Sequence, residues 1–145
     1  DGDPNYLDET AYSLKRLTQV LGRLKADEVV LALDSCFSGA GGRSVLAKGA
    51  RPLVMSQASA ETPANMAVLS AAEGAQISTS DPERGHGIFT YHLLRAIKDG
   101  KSDLSSIFTT MRSRVEDDAK ALNVSQTPAL RPSAERLRGR FRMRR

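Results

Sequence analysis

The only cysteine of the chain, Cys36, stands two positions after Asp34 and just past five consecutive apolar residues, Val29–Leu33. Small residues follow it: Ser38, Gly39, Ala40, Gly41 and Gly42. A thiol attacks a carbonyl as its thiolate, and at neutral pH it needs a base or an ion-pair partner, usually histidine. The acyl intermediate also needs an oxyanion hole, often built from backbone N–H groups. An arbitrary lone cysteine is most often a small buried hydrophobe. At a strand end, beside an acid and ahead of a glycine-rich turn, Cys36 reads instead as a nucleophile, because small neighbours let a substrate backbone come close. Asp34, two residues earlier on an extended strand, points to the same side. Its carboxylate can anchor a lysine or arginine of a substrate, bidentately for arginine; the competing reading is an acid held by local N–H groups. There are two histidines. His92 falls inside an apolar helical stretch and reads as a helix-face or partly buried side chain. His86, in a His-Gly dipeptide well after Cys36, reads as a residue leading into a helix from a flexible turn.

These residues need elements to hold them. Val29–Leu33 is too short for a lone helix and too continuous for a half-exposed strand, so it predicts a central parallel strand covered on both faces. In open α/β sheets reacting groups collect at the carboxyl edge, and Cys36 lies just past that edge. Upstream, Leu7, Ala11, Leu14, Leu17, Leu21 and Leu24 form one stripe. They predict a helix over Leu7–Leu24 that packs on the sheet, with Asp8 as N-cap and Leu7 and Tyr12 as a hydrophobic staple. Leu53–Met55 suggests a short strand, and Met66–Ala72 a second buried one. The loop that follows, Glu73 to Asp81, is again at the carboxyl end of a strand and so forms part of a site. Ile88–Lys98 reads as a helix with Ile88, Phe89, Tyr91, Leu93, Leu94 and Ile97 inward and Gly100 as its C′ residue. Ser102 or Asp103 caps a further helix, whose stripe is Leu104, Ile107, Phe108, Met111, Val115 and Leu122. Thr127-Pro128 then ends the domain. The βα alternation argues for an α/β layered fold.

The 145 residues suffice for one domain. No apolar run approaches membrane-spanning length, no signal-peptide pattern opens the chain, and no internal repeat is visible. A single cysteine rules out an internal disulfide and a cysteine-cluster zinc site, and it suits a reducing, cytoplasmic compartment. No metal ligand set and no EF-hand-like loop is found. The net charge of +4 is uneven: residues 131–145 carry seven arginines and one glutamate, or +6, which leaves −2 for residues 1–130. The chain therefore divides into a domain over 1–130 and a basic tail or linker over 131–145. Arginine-rich tails bind nucleic acid or acidic membranes, but nothing here supports base reading, and neither partner is expected.

With Asp34-Ser35-Cys36-Phe37-Ser38-Gly39 behind a buried strand, the chain resembles the caspase-like cysteine peptidases, in particular the metacaspase and bacterial orthocaspase branch. Val68-Leu69-Ser70-Ala71-Ala72, Gly87-Ile88-Phe89-Thr90-Tyr91 and Gln126-Thr127-Pro128 extend the resemblance over roughly residues 1 to 130, in the family's order. The resemblance implies a three-layer α/β fold with a mostly parallel sheet flanked by helices, its N-terminal part missing here. It implies Cys36 as nucleophile in a Cys-His dyad, and Asp34 in the pocket for a basic residue before the scissile bond. It places Gln76, Ser78 and Asp81 on the loop lining that pocket, where their bland reading is turn chemistry. The family's histidine precedes the cysteine in a Ser-Gly-His-Gly context. His86-Gly87 does not fit that place, so the base is expected upstream of Asp1-Gly2-Asp3-Pro4, which resembles the loop after it. The missing N-terminal segment of the same protein would then be a partner. The loop bearing Arg43 and Lys48 is where activating cleavage often falls in the family. No cofactor is implied, although some members require calcium.

Two function classes follow. The first is an endopeptidase acting on protein or peptide substrates after arginine or lysine. The second is a non-catalytic caspase-like module used for assembly, favoured by the absent histidine and opposed by the intact cysteine motif. Nucleic-acid binding through the basic tail ranks last.

Overall fold

A computed structural model describes residues 6–10, 12–35, 62–73, 76, 78–81, 83–137 and 139–143. Cys36, the loop with Arg43 and Lys48, and the expected strand Leu53–Met55 lie outside the described residues. Helices α1 (Leu7–Thr10) and α2 (Leu14–Gly22) lead to strand β1 (Val29–Leu33). Strand β2 (Met66–Ser70) comes next, then the short strands β3 (Ser80–Asp81) and β4 (His86–Gly87). Helices α3 (Ile88–Lys98) and α4 (Leu104–Ala121), strand β5 (Ala129–Arg131) and helix α5 (Ala134–Leu137) complete the order.

β1 and β2 pair in parallel from Val29 opposite Met66 to Leu33 opposite Ser70. β5 lies antiparallel on the other side of β2, with Leu130 opposite Leu69. The described sheet is therefore mixed, in the order β1-β2-β5, rather than mostly parallel. β2, not β1, is its central strand. Four of the five β2 residues are buried, whereas β1 is half-buried with Ala32 exposed. The reason is topological: among the described residues β1 has a neighbour on one edge only. Side chains alternate across a strand. Ala67, Leu69 and Ala71 accordingly share the face that meets Ile88, Phe89 and Leu93 of α3 and Leu104, Ile107, Met111 and Val115 of α4.

The single helix expected over Leu7–Leu24 is two. Ser13 has extended backbone (φ −68°, ψ 137°), and its hydroxyl accepts the Arg16 N–H at 3.1 Å, which caps α2. A side chain that satisfies a free helix donor this way starts a helix rather than continuing one. Asp8 consequently sits within α1 instead of capping a long helix. α2 buries only Thr18 and leaves Val20 exposed, with Tyr12, the expected staple residue, at 59% just ahead of it. Its C-terminal end is nevertheless held close: a Cβ on Gly22 would lie 2.4 Å from Pro63 Cγ.

α3 and α4 keep their expected bounds, and both end in Schellman motifs. Gly100 (φ 88°) follows α3, with the Lys101 N–H on the Ala96 carbonyl. Asn123 (φ 57°) follows α4, with the Val124 N–H on the Ala119 carbonyl. Asp103 rather than Ser102 caps α4, accepting the Ser106 N–H at 2.8 Å. Leu94 and Leu122 point to solvent, and His92, Ala96 and Ala119 take buried places instead.

Residues 131–143 are not a tail. Leu137 and Phe141 are each 1% exposed and belong to the core cluster. The Leu104 N–H bonds the Phe141 carbonyl at 3.2 Å, and the Met143 N–H bonds the Ser102 carbonyl at 2.8 Å. The arginine count hid this, because the apolar residues Leu137, Phe141 and Met143 are outnumbered by charged ones. Phe141→Ala should therefore lower stability by about 3–5 kcal/mol, as expected for a buried phenylalanine. Denaturant unfolding checks it; a change within about 0.5 kcal/mol, the usual range for surface sites, would restore the tail.

Candidate functional site

Asp34 follows β1 at its carboxyl edge, and three elements converge on its carboxylate. The Ser78 hydroxyl, from the loop after β2, donates to Oδ1 at 2.5 Å. The Thr90 hydroxyl, in the first turn of α3, donates to Oδ2 at 2.5 Å. Gly87, the N-cap of α3, lies so close that a Cβ there would stand 2.6 Å from Oδ2. α3 has no side-chain cap and no acidic residue in its first turn. The Asp34 charge supplies from another element the negative group that a helix N-terminus favours. A carboxylate has about four acceptor positions. Among the described residues two are filled by hydroxyls, which fix its plane; a carboxylate held in this way can take a forked donor such as a guanidinium. No ion pair to Asp34 occurs among the described residues.

The loop that brings Ser78 is ordered by two amides. Gln76 accepts the Thr127 N–H at 2.7 Å, and its own amide donates to the Thr127 hydroxyl at 3.3 Å. Gln126, 2% exposed, donates to the Ala71 carbonyl at 3.1 Å and accepts the Thr79 N–H at 2.8 Å. Gln76 thus ties the loop after β2 to Thr127. Asp81 accepts the backbone N–H of Glu83 at 2.9 Å and pairs with Arg84 at 3.2 Å, so its carboxylate is engaged in its own turn. Of the four pocket candidates, Asp34 and Ser78 come together, while Gln76 and Asp81 lie on the supporting loop and hairpin.

Behind the hairpin stands a charged cluster. Arg84 bonds Asp118 of α4 and lies over the Tyr91 ring at 4.7 Å. His92 Nε2 donates to the same Asp118 carboxylate at 2.8 Å. His92 is buried, as its helical context suggested, and its Nδ1 has no partner among the described residues. Such an orphaned group costs about 1–3 kcal/mol; a phenylalanine here would avoid that cost, so the Asp118 contact accounts for the imidazole. His86 is exposed on β4, opposite Asp81. Burial pushes the Asp118 carboxyl up, but hydrogen bonds from His92 and Arg84, and their charges, outweigh it and hold the group below its ordinary value. The hydrogen bond to Asp118 raises Arg84 above its ordinary value; burial opposes it, and the charges of Asp118 and Asp81 add to the rise.

The sequence assigned no role to Thr90, Gln126, Arg84 or Asp118, although Thr90 and Gln126 fall in the segments Gly87–Tyr91 and Gln126–Pro128 that carry the resemblance. A hydroxyl at the third position of a helix that starts at a bare glycine was the available signal for Thr90. Nothing in the local spacing announced the others, whose partners lie far away along the chain.

A scan against protein-family models matches one described as "Caspase domain" over residues 5–138. Neither curated proteins nor solved structures gave a significant match. Among the described residues no group of histidine, cysteine or carboxylate side chains could hold a metal ion. None of their helices is long and apolar enough to cross a membrane.

Asp118 also makes stability pH-dependent. Its folded value is lowered, so between the two values the unfolded chain binds more protons, and the carboxylate's contribution is lost as pH falls through them. The stability advantage of the native protein over Asp118→Asn should therefore be constant at neutral pH and shrink below about pH 4. Urea midpoints across that range test it; an advantage unchanged down to about pH 2 would contradict the assignment.

Proposed function

The chain belongs to the caspase-domain family of cysteine peptidases, and on that premise we propose that it is an endopeptidase cleaving after arginine or lysine. One observation carries the specificity: an Asp34 carboxylate whose plane is fixed by Ser78 and Thr90, with Gly87 leaving room beside it. That arrangement suits a forked cation better than an acidic side chain. It matches the family resemblance around Asp34-Ser35-Cys36.

In this reading Cys36 Sγ attacks the carbonyl carbon of the residue whose side chain Asp34 holds. The electron pair moves to the carbonyl oxygen, which the Cys36 N–H and a glycine N–H stabilise. The amine leaves with a proton from a histidine, and water, activated by the same base, releases the acid. His92 is committed to Asp118, and the base is assigned to a histidine outside residues 1–145. The three-layer architecture follows if helices also cover the face of β2 opposite α3 and α4. A reducing cytoplasmic setting would keep the thiol free. No metal or cofactor takes part in these steps.

Whole-protein assays with paired fluorogenic peptides ending in arginine and in aspartate test the reading. Cleavage after arginine, abolished in Cys36→Ala, is the expected result. Asp34→Ala should lower kcat/KM for the arginine peptide by about 100-fold or more, since two charge-assisted hydrogen bonds are worth about 1.5–3 kcal/mol each. Gly87→Ala should impair the same substrate, because its methyl would displace Asp34. Cleavage after aspartate would overturn the pocket assignment and spare the nucleophile. No cleavage of either peptide by the folded protein would favour the assembly module.

A further inference from the structure

Resting on that reading of Asp34, we infer that Arg84, Asp118 and His92 form a latch that sets the geometry of the basic-residue pocket from behind. The β3–β4 hairpin has only two ladder pairs, Ser80 with Gly87 and Asp81 with His86. An isolated two-stranded hairpin is marginally stable at best even when longer. Yet this one carries Gly87, which touches the Asp34 carboxylate, and it opens α3, which carries Thr90. Its position must come from outside itself.

Arg84, at the turn of the hairpin, supplies the connection. It is held at three points: Asp81 in its own turn, Asp118 on α4, and the Tyr91 ring on α3. Asp118 is braced in turn by His92, which is buried in the helix pair. The guanidinium thus joins a two-residue ladder to the two longest helices described. On the other side, the Ile88 N–H bonds the Thr79 carbonyl at 3.0 Å, next to Ser78. A shift of the hairpin therefore passes to both hydroxyls and to the glycine that frame Asp34. A binding constellation tolerates displacements of about 0.5 Å before it fails. Arg84 contacts none of the reacting atoms in this scheme; it is a positioning residue.

Amide hydrogen exchange on the whole protein, in a Cys36→Ala background, is read alongside titration with Nα-acetyl-arginine amide. Arg84→Ala should speed exchange at Thr79, Gly85 and Ile88 about tenfold or more, as expected of a locally opened unit. Ile107 and Met111 in α4 should keep their rates. Affinity for the arginine amide should fall about tenfold, and with an intact Cys36 the loss should appear in KM rather than kcat. Asp118→Asn should reproduce the effect, and the double variant should add little, because the two residues act as one contact. Arg84→Lys should restore part of it. Unchanged exchange at the three amides overturns the latch, and so does an equal rise throughout α4, which would mean general destabilisation. Faster exchange with unchanged affinity overturns its link to the pocket. If the parent protein binds no arginine amide, the basic pocket itself fails, and exchange alone then decides whether Arg84 holds the hairpin.

Discussion

A single buried amide carries the order of the site edge. Gln126 reaches from the segment before β5 to the end of β2 on one side and to Thr79 on the other. Both ends of the amide are paired, as burial demands. That bridge ties the loop bearing Ser78 at both of its ends. Gln76 adds a second tie to Thr127. The pocket loop is thus sewn to a distant part of the chain by side chains, not by a strand ladder. Such ties fix a loop in place while leaving it free of the regular geometry that a sheet imposes.

The carboxylate at the centre serves two neighbours. To α3 it is the missing negative group at the N-terminus; in the proposed peptidase reading it is also the anchor for a substrate cation. The same two hydroxyl bonds serve both purposes, because they hold the carboxylate in one plane. This explains why a residue at the end of one strand is framed by parts of two other elements. If Asp34 does set specificity, as proposed, its surroundings matter as much as the acid itself, down to the lack of a side chain at position 87.

The sequence disclosed most of what depends on near neighbours. The apolar runs at Val29–Leu33 and Met66–Ser70 became strands, and the bounds of α3 and α4 followed from periodicity and end signals. Asp34 was singled out from strand alternation, and its carboxylate does meet Ser78 and Thr90; Cys36, whose side it was expected to share, lies outside the described residues. Where Ser13 competed with a continuous stripe, the stripe misled, since a hydroxyl cap outweighs a few apolar positions on an exposed helix. Charge composition misled in the same way at residues 131–143, where Leu137 and Phe141 are buried in the core. The Arg84–Asp118–His92 cluster and the Gln126 bridge were invisible for a different reason. Each joins residues far apart in sequence, and no local pattern encodes such a meeting.

The place of β5 and the segment after it bears on how the molecule is made. A ribosome delivers Asp34 and β2 early, and Gln126, Leu130 and Phe141 late. Until those late residues arrive, β2 lacks one neighbour, the core lacks a wall, and the loop bearing Ser78 has nothing to hold it. Contacts between distant parts of a chain form slowly in any case. In the peptidase reading, a nascent chain would thus possess its thiol long before it possesses a shaped pocket. In that reading, the order of synthesis would keep a growing hydrolase from acting on its neighbours until β5 has paired with β2.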